Sequence, residues 1–389
     1  MILMKNKIYP YLVLIACALL IATTFGFVNI QGLFFDSIAN DLQIGVGSVS
    51  MYVTIVHIIG AVFGPIGVNL RQRYSIRSIL IITGIFVIGA YALLPQASNI
   101  YLIYMCAFFM GIGQGIYGHT MVVELMNRWF EKSGTFIGIA LSFSGLFGSV
   151  FSPIIVNRII NMGWRKAYYI FAIILAIVLV YSILIIDDKP SIENKTNNTK
   201  QKIQLSKQLK LIALFYLVGG SISSLGHYLL GYSTSIGLSL EQGAVLTSAM
   251  NIGNLTLKLV FGYLSDKIGG LKTAIVNFIC ISIGCITLLI CPSNMLTILT
   301  IGTILLGSSY GAANVVTQGL CKDLFGRENV SANYANLSVL SSISAFSTTA
   351  IGYVYDLTNS YRTSIIGLQA LFVVAILLVL IAFKKNKTK

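Results

Sequence analysis

Apolar residues along this chain collect into twelve long runs separated by short polar breaks. The runs lie near 8–32, 49–69, 78–94, 100–122, 135–157 and 165–186, then near 210–232, 242–264, 273–291, 295–318, 332–354 and 362–383. Each approaches the roughly 20 residues that an α-helix needs to cross the hydrocarbon core of a bilayer. The pattern predicts an all-α membrane protein of twelve transmembrane helices. Between the sixth and seventh runs, residues 187–210 are polar and lysine-rich with one proline, unlike their surroundings. This stretch divides the chain into a six-helix half at 1–186, a linker at 187–209 and a second six-helix half at 210–389. The first run follows Lys5 and Lys7 as a signal peptide would, but it continues from Ile8 to about Ile30 without a small-residue cleavage site, so it is read as a retained span.

Composition agrees with the pattern. Charged residues make up 10% of the 389 residues and hydrophobic ones 56%, against roughly 25% charged in a soluble domain. A net charge of +14 would suggest a nucleic-acid partner if the basic residues formed one face, but they lie between the apolar runs. With a cytoplasmic N-terminus, 21 of the 26 basic residues fall in inner segments, as the positive-inside bias requires. Arg158, Arg165, Lys166 and Arg362 remain outside, with Asp36, Asp41, Glu241 and Asp356. The expectation is a multi-pass plasma-membrane protein with both termini cytoplasmic, in contact with lipid and with no nucleic-acid partner. The six cysteines are scattered without a CxxC pair, and no Walker A, HExxH or paired catalytic carboxylate appears. No enzyme activity, cofactor or metal is expected.

Laid side by side, the halves repeat. Gln72-Arg73 matches Asp266-Lys267 at an offset of 194, Tyr117-Gly118 matches Tyr310-Gly311 at 193, Trp129-Phe130 matches Leu324-Phe325 at 195, and Gly163-Trp164-Arg165 matches Ser360-Tyr361-Arg362 at 197. Four near-equal offsets in order mark a duplicated six-helix unit, and transporters built this way hold substrate near the midplane between the repeats.

The loop after the eighth run reads Gly262-Tyr-Leu-Ser-Asp266-Lys267-Ile-Gly269. It resembles the G-x-x-x-D-[RK]-x-G motif of the major facilitator superfamily, whose fold is two pseudo-symmetric six-helix bundles. The first-half copy around Arg73 and Arg77 is degenerate, with Gln72 in place of aspartate and Ser75 in place of glycine. The resemblance implies a gating role for these loops, with Asp266 facing the start of the fifth span near Ser133-Gly134; the competing reading is a surface turn. Gly111-Ile-Gly113-Gln-Gly115-Ile-Tyr117-Gly118, Asn127-Arg-Trp129-Phe130 to Gly134, Gly138 through Gly145 and Gly148 to Pro153, Gly326-Arg-Glu-Asn329 to Tyr334, and Asp356 to Tyr361 resemble the monocarboxylate porter and oxalate/formate antiporter branch. Small residues at such positions also serve simply to let helices approach.

Lys258 lies inside the eighth run, where a cation costs at least about 2.5–3.5 kcal/mol unless it faces a polar cavity. The resemblance maps a substrate-binding cation onto it, lysine standing where the branch carries arginine. Snorkelling to the inner surface is the alternative. Against snorkelling, helical side chains tilt toward the N-terminus, which here points to the midplane, and Thr247, Asn251, Asn254 and Lys258 form one polar stripe at three- and four-residue steps. No acid lies at the middle of any run, Glu124 coming nearest. A fixed positive charge without a fixed negative one selects anions. Relatives often carry an acid where this chain has Asn254, which puts proton coupling in doubt, and no second cation lies in 332–354, which favours a monoanion. His57, His119 and His227 lie in runs and can titrate or pack; His119 beside Tyr117, with Tyr310, Asn314 and Gln31, completes the candidate cavity donors.

The reading that follows is an alternating-access carrier of a small organic anion, a monocarboxylate, driven by protons or by exchange, and expected to be a monomer. The alternatives are a drug or metabolite exporter, which would normally hold a membrane acid, and a non-transporting sensor of the same fold.

Overall fold

The computed structural model describes residues 8–130, 133–186, 206–326, 333, 337 and 341–384, without the side chains of 313, 314, 341 and 342. All regular structure in these residues is helical. The principal helices are α1 (Tyr9–Ile21), α2 (Phe35–Leu42), α3 (Val46–Arg73), α4 (Ile76–Leu93), α5 (Ile100–Tyr117), α6 (His119–Trp129), α7 (Ser133–Met162) and α8 (Trp164–Ile185). They continue as α9 (Lys207–Ser223), α10 (Leu229–Ser235), α11 (Leu240–Ile268), α12 (Gly270–Ile290), α13 (Leu296–Leu306), α14 (Thr317–Phe325), α15 (Ser341–Thr358) and α16 (Tyr361–Lys384). Among the described residues, ten helical segments are long and apolar enough to cross a membrane. The tenth expected span is represented by the shorter apolar stretch Leu296–Gly311 and its continuation, and the eleventh by α15. Most of the expected linker lies outside the described residues.

The chain forms two compact units. One comprises Met1–Gln43 and Met51–Asn198, the other Ile44–Ser50 and Thr199–Lys389. The first turn of α3 therefore belongs to the second unit, and its cause is visible. Asp356 accepts hydrogen bonds from the amides of Val46 (2.9 Å) and Gly47 (2.8 Å), satisfying donors that the start of a helix leaves without intrahelical partners.

Local sequence sets the helix ends. Ser75, Asn99 and Ser206 each accept from a backbone amide three residues on, and Ser239 with Gln242 forms a reciprocal capping box at the head of α11. Gly163, Gly269 and Gly326 end or join helices at positive φ, a conformation that side chains disfavour. Four expected spans are irregular in mid-course. The first passes through a π-helical turn at Ala22–Gly26, the seventh through a 3-10 turn at Ser224–Tyr228, the fourth breaks between α5 and α6 at Gly118, and the tenth passes through a bend at Gly307 and a π turn at Ala312–Val316.

Packing depends on glycine. A Cβ on Gly253 in α11 would stand 2.9 Å from the carbonyl carbon of Ile304 in α13, and one on Gly307 would stand 2.8 Å from the Asn254 amide nitrogen. In the first unit, a Cβ on Gly111 would stand 2.8 Å from the Val56 carbonyl oxygen and one on Gly115 2.6 Å from that of Gly60, so α5 lies backbone-to-backbone on α3. Phe27, Phe34, Tyr91, Phe147, Tyr168 and Phe171 fill the space beside them in offset and edge-on ring contacts.

These contacts predict opposite outcomes for two glycines. Gly253→Val must push backbone against backbone and should cost about 1–3 kcal/mol or more, the usual cost of overpacking. Gly89→Ala, in open space on α4, should be neutral or gain up to about 1 kcal/mol from helix propensity. Thermal unfolding of the detergent-solubilised variants checks both.

Candidate functional site

In the second unit the polar stripe is real. Thr247, Asn251 and Asn254 are buried and Lys258 half-buried along α11. Thr247 Oγ1 donates to the Gly243 carbonyl (3.1 Å) and Asn251 Nδ2 to the Thr247 carbonyl (3.0 Å). Among the described residues Asn251 Oδ1 and Asn254 Nδ2 have no hydrogen-bond partner, nor have the buried hydroxyls of Ser308 and Ser309 at the bend after α13. Native interiors leave few polar groups so.

Lys258 Nζ lies 5.7 Å from the centroid of the Tyr310 ring, within range of a cation–π contact. Gly311 lies against the same side chain, a Cβ there standing in ordinary contact 3.8 Å from Lys258 Cγ. The Tyr310 hydroxyl lies beside Gly226, where a Cβ would be 3.1 Å away, in the 3-10 turn that carries buried His227. Among the described residues no carboxylate pairs with Lys258. The structure thus brings Lys258, Tyr310 and the stripe together; the Asn314 side chain lies outside the described set.

First-unit candidates are dispersed. Tyr117 is fully buried, and a Cβ on Gly113 would stand 2.6 Å from its hydroxyl and 2.7 Å from Val87. His119 is exposed on the far side of the Gly118 break and stacks on Phe25 with centroids 3.8 Å apart. Gln31 is buried with its amide beside the Tyr91 hydroxyl. Gln114 Nε2 lies 3.4 Å from His57 Nδ1, a pairing not anticipated from the sequence.

The loop motifs also differ from the expectation. Asp266 is largely exposed and accepts from Lys322 Nζ at 2.7 Å. Besides Asp356, a carboxylate that meets a helix start in this unit is Asp323, unforeseen, which accepts from the amides of Gly270 (2.6 Å) and Leu271 (3.3 Å). Gly269, at φ 86°, is where glycine is required, with a Cβ 3.2 Å from Asp323 Oδ2. Gly262 has only ordinary contacts, and Lys267 lies over the Tyr263 ring. In the first unit Gln72, Arg73 and Arg77 are exposed, Arg77 Nε donating to the Ile186 carbonyl (3.0 Å). The organised cation is their neighbour Arg71. Its side chain is buried, Nε donates to Glu124 at 2.8 Å and Nη1 to the Ile116 carbonyl at 2.7 Å, while Arg128 also pairs with Glu124. A basic residue at the end of a helix gave no signal in the sequence that it would turn toward the interior.

The Major Facilitator Superfamily model matches residues 15–335 and 211–389. The chain belongs to that superfamily. It is a multi-pass membrane transporter and not an enzyme. It is 24% identical over 288 residues to the MFS-type transporter YhjX of Escherichia coli K12, covering 70% of each chain. It is 25% identical over 370 residues to the probable nitrate transporter NarT of Staphylococcus epidermidis, covering 90% of each. With the oxalate:formate antiporter of Oxalobacter formigenes it shares 23% identity over 256 residues, 63% of this chain and 61% of that one. Its fold matches the crystal structure of the nucleoside transporter NupG with a TM-score of 0.75 at 11% identity, over 96% of this chain and all of that one.

The two acidic contacts rank themselves by geometry. Asp323→Asn removes a charged acceptor from two amides at a helix start and should destabilise by about 1–2 kcal/mol. Asp266→Asn loses one exposed ion pair, worth about 0–1 kcal/mol. Thermal melts of the two variants should separate in that order.

Proposed function

We propose that this transporter moves a small monoanion, a monocarboxylate such as formate, by alternating access, with Lys258 as the substrate cation. The observation that carries the reading is Lys258 itself, held over the Tyr310 ring with no carboxylate paired to it among the described residues. A half-buried cation without a counter-ion is unstable on its own, and a bound anion relieves it. Asn254 Nδ2, one turn away, offers an unused donor to a second substrate oxygen, and the Ser308 and Ser309 hydroxyls are further unused polar groups. The relatives named for nitrate, oxalate and formate support an anion. Formate and nitrate are both planar monoanions with oxygens at the distance a lysine and an amide can share.

Lysine at this position has a consequence for the substrate. Arginine would bring a larger planar fork suited to two oxygens at once, whereas the ammonium is a compact point charge that one oxygen of a small anion can meet. The lysine distribution supports a plasma-membrane orientation with both termini cytoplasmic. The loop carrying Asp266 then lies on the inner side, where its pair with Lys322 acts within its own unit.

Counterflow in proteoliposomes loaded with formate, acetate, oxalate or nitrate tests the assignment. Lys258→Ala should lower exchange by roughly 10–150-fold, the weight of a charge-assisted contact of about 1.5–3 kcal/mol, with the melting temperature retained. Lys258→Arg should keep part of the activity. Wild-type exchange by the alanine variant would end the proposal.

Coupling follows from what surrounds the acids. Glu124 is held by Arg71 and Arg128, Asp41 by Arg165 and Trp164, and Asn254 stands where an acid would serve as proton carrier. Exchange without protons is therefore expected. Rates should stay constant between pH 5 and 8, and a pH gradient alone should drive no accumulation; proton movement coupled to substrate would overturn this.

A further inference from the structure

At the end of the second unit away from Asp266 and Gly269, the connections α10–α11, α12–α13 and α15–α16 line an open cavity of about 420 Å³. The volume suits a small organic ligand. Its lining includes Tyr232, Ser235, Cys291, Ser293 and Arg362. Arg362 is the charged residue of that lining, and no aspartate or glutamate contributes to it. We propose that this cavity is a second anion site, separate from Lys258, which captures a small carboxylate or oxyanion on the guanidinium of Arg362 before it passes inward.

The geometry shows why Arg362 is left available. The acid nearest to it in sequence, Asp356, has both oxygens committed to the Val46 and Gly47 amides. Among the described residues no carboxylate or carbonyl accepts a hydrogen bond from the guanidinium; the Arg362 contact within hydrogen-bond distance is its backbone amide to Ser360 Oγ, at 3.3 Å. The position is nonetheless fixed. Tyr361, the preceding residue, is buried and stacks on Tyr355 with centroids 4.1 Å apart and planes 11° from parallel. Asn359 turns the chain at φ 51° just before it. The polar walls are partly spent: Tyr232 donates its hydroxyl to the Leu288 carbonyl and Ser235 Oγ donates to the Tyr232 carbonyl. Ser293 keeps its hydroxyl uncommitted among the described residues. An exposed guanidinium presents paired N–H groups that match a carboxylate or nitrate in a bidentate fork. A cavity of one sign raises the local concentration of the opposite ion.

Cys291 supplies a reporter, because it is among the residues that line the same cavity. The full chain in nanodiscs is treated with methanethiosulfonate reagents of opposite charge, sulfonatoethyl and trimethylammonioethyl, and modification of Cys291 is followed by site-resolved mass spectrometry. In the wild type the anionic reagent should be favoured, and Arg362→Gln should lower the anionic-to-cationic rate ratio at least about threefold, while Arg362→Lys preserves it. Formate or nitrate at millimolar concentration should slow modification in the wild type and equally in Lys258→Ala, but not in Arg362→Gln. In transport, Arg362→Gln should raise the KM for substrate offered from that side about threefold or more and leave kcat unchanged. A rate ratio unaffected by Arg362→Gln, or an absence of protection by formate and nitrate, would overturn the proposal. Protection that disappears in Lys258→Ala would overturn it as well, by showing that the anion acts through the other site. Protection that survives while Lys258→Ala transports normally would instead sink the Lys258 assignment and leave this site standing.

Discussion

Inside a bilayer the backbone has no water to turn to, so every carbonyl and amide released from a regular helix must be met from within the protein. The irregular stretches of this chain are organised by that demand. At the Gly118 break, Arg71 donates to the Ile116 carbonyl. After the bend at Gly307, Asn277 Nδ2 donates to the Ser308 carbonyl at 3.0 Å, and Thr317 Oγ1 takes the Ala312 carbonyl at 2.7 Å across the π turn. Tyrosine hydroxyls serve elsewhere, Tyr228 to Thr348 and Tyr232 to Leu288. A broken span costs little when a side chain with a hydrogen to give is already in place, and the breaks in turn place Tyr310, Ser308 and Ser309 where a continuous helix would not.

Duplication gives the two units a common plan and lets them diverge in charge. With the offsets that align the halves, Arg71 corresponds to Ser265 and Glu124 to Gly319. The first unit joins these helices with a half-buried ion pair. The second joins them by contact, for a Cβ on Gly319 would stand 3.2 Å from the Gly270 Cα and 3.3 Å from the Ser265 Cβ. The reverse holds in mid-span. Lys258 and Tyr310 correspond to Gly64, which faces open space, and to Tyr117, which is sealed in the first unit's core. The same scaffold thus puts its cation at the helix ends in one unit and in mid-span in the other.

What could be read from the sequence was whatever a single helix determines. Span positions follow from apolar runs, and the Thr247–Lys258 stripe follows from a period that survives folding unchanged. Gln114 and His57 were opaque for the opposite reason: a glutamine among glycines has no pattern of its own, and its partner is 57 residues away on another helix. Asp323 was obscured by Asp266, which occupies the recognisable motif, although the amides of Gly270 and Leu271 are reached from α14 and not from the motif loop. Arg71 sits one residue before the motif-matched pair and differs from Arg73 only in the helix face it presents, buried against Glu124 instead of exposed. Face, at a helix end, is decided by the neighbour.

The distribution of acids gives the anion reading its physical basis. A chain with 26 basic and 12 acidic residues has few carboxylates to spare, and the described ones are largely engaged. Asp41 holds Arg165 and Trp164, Glu124 holds two arginines, Asp266 holds Lys322, Asp323 caps α12 and Asp356 caps α3. Most of these contacts fix helix ends to one another, so none can be withdrawn to neutralise a cation elsewhere without loosening the bundle. Lys258 in mid-span and Arg362 at its cleft form no ion pair with a carboxylate among the described residues. In a low-dielectric setting such a charge is costly while unpaired and strongly attractive to whatever anion can reach it. Five of the described carboxylates are thus committed to structure, and on the proposed reading the charge that completes Lys258 and Arg362 arrives from solution.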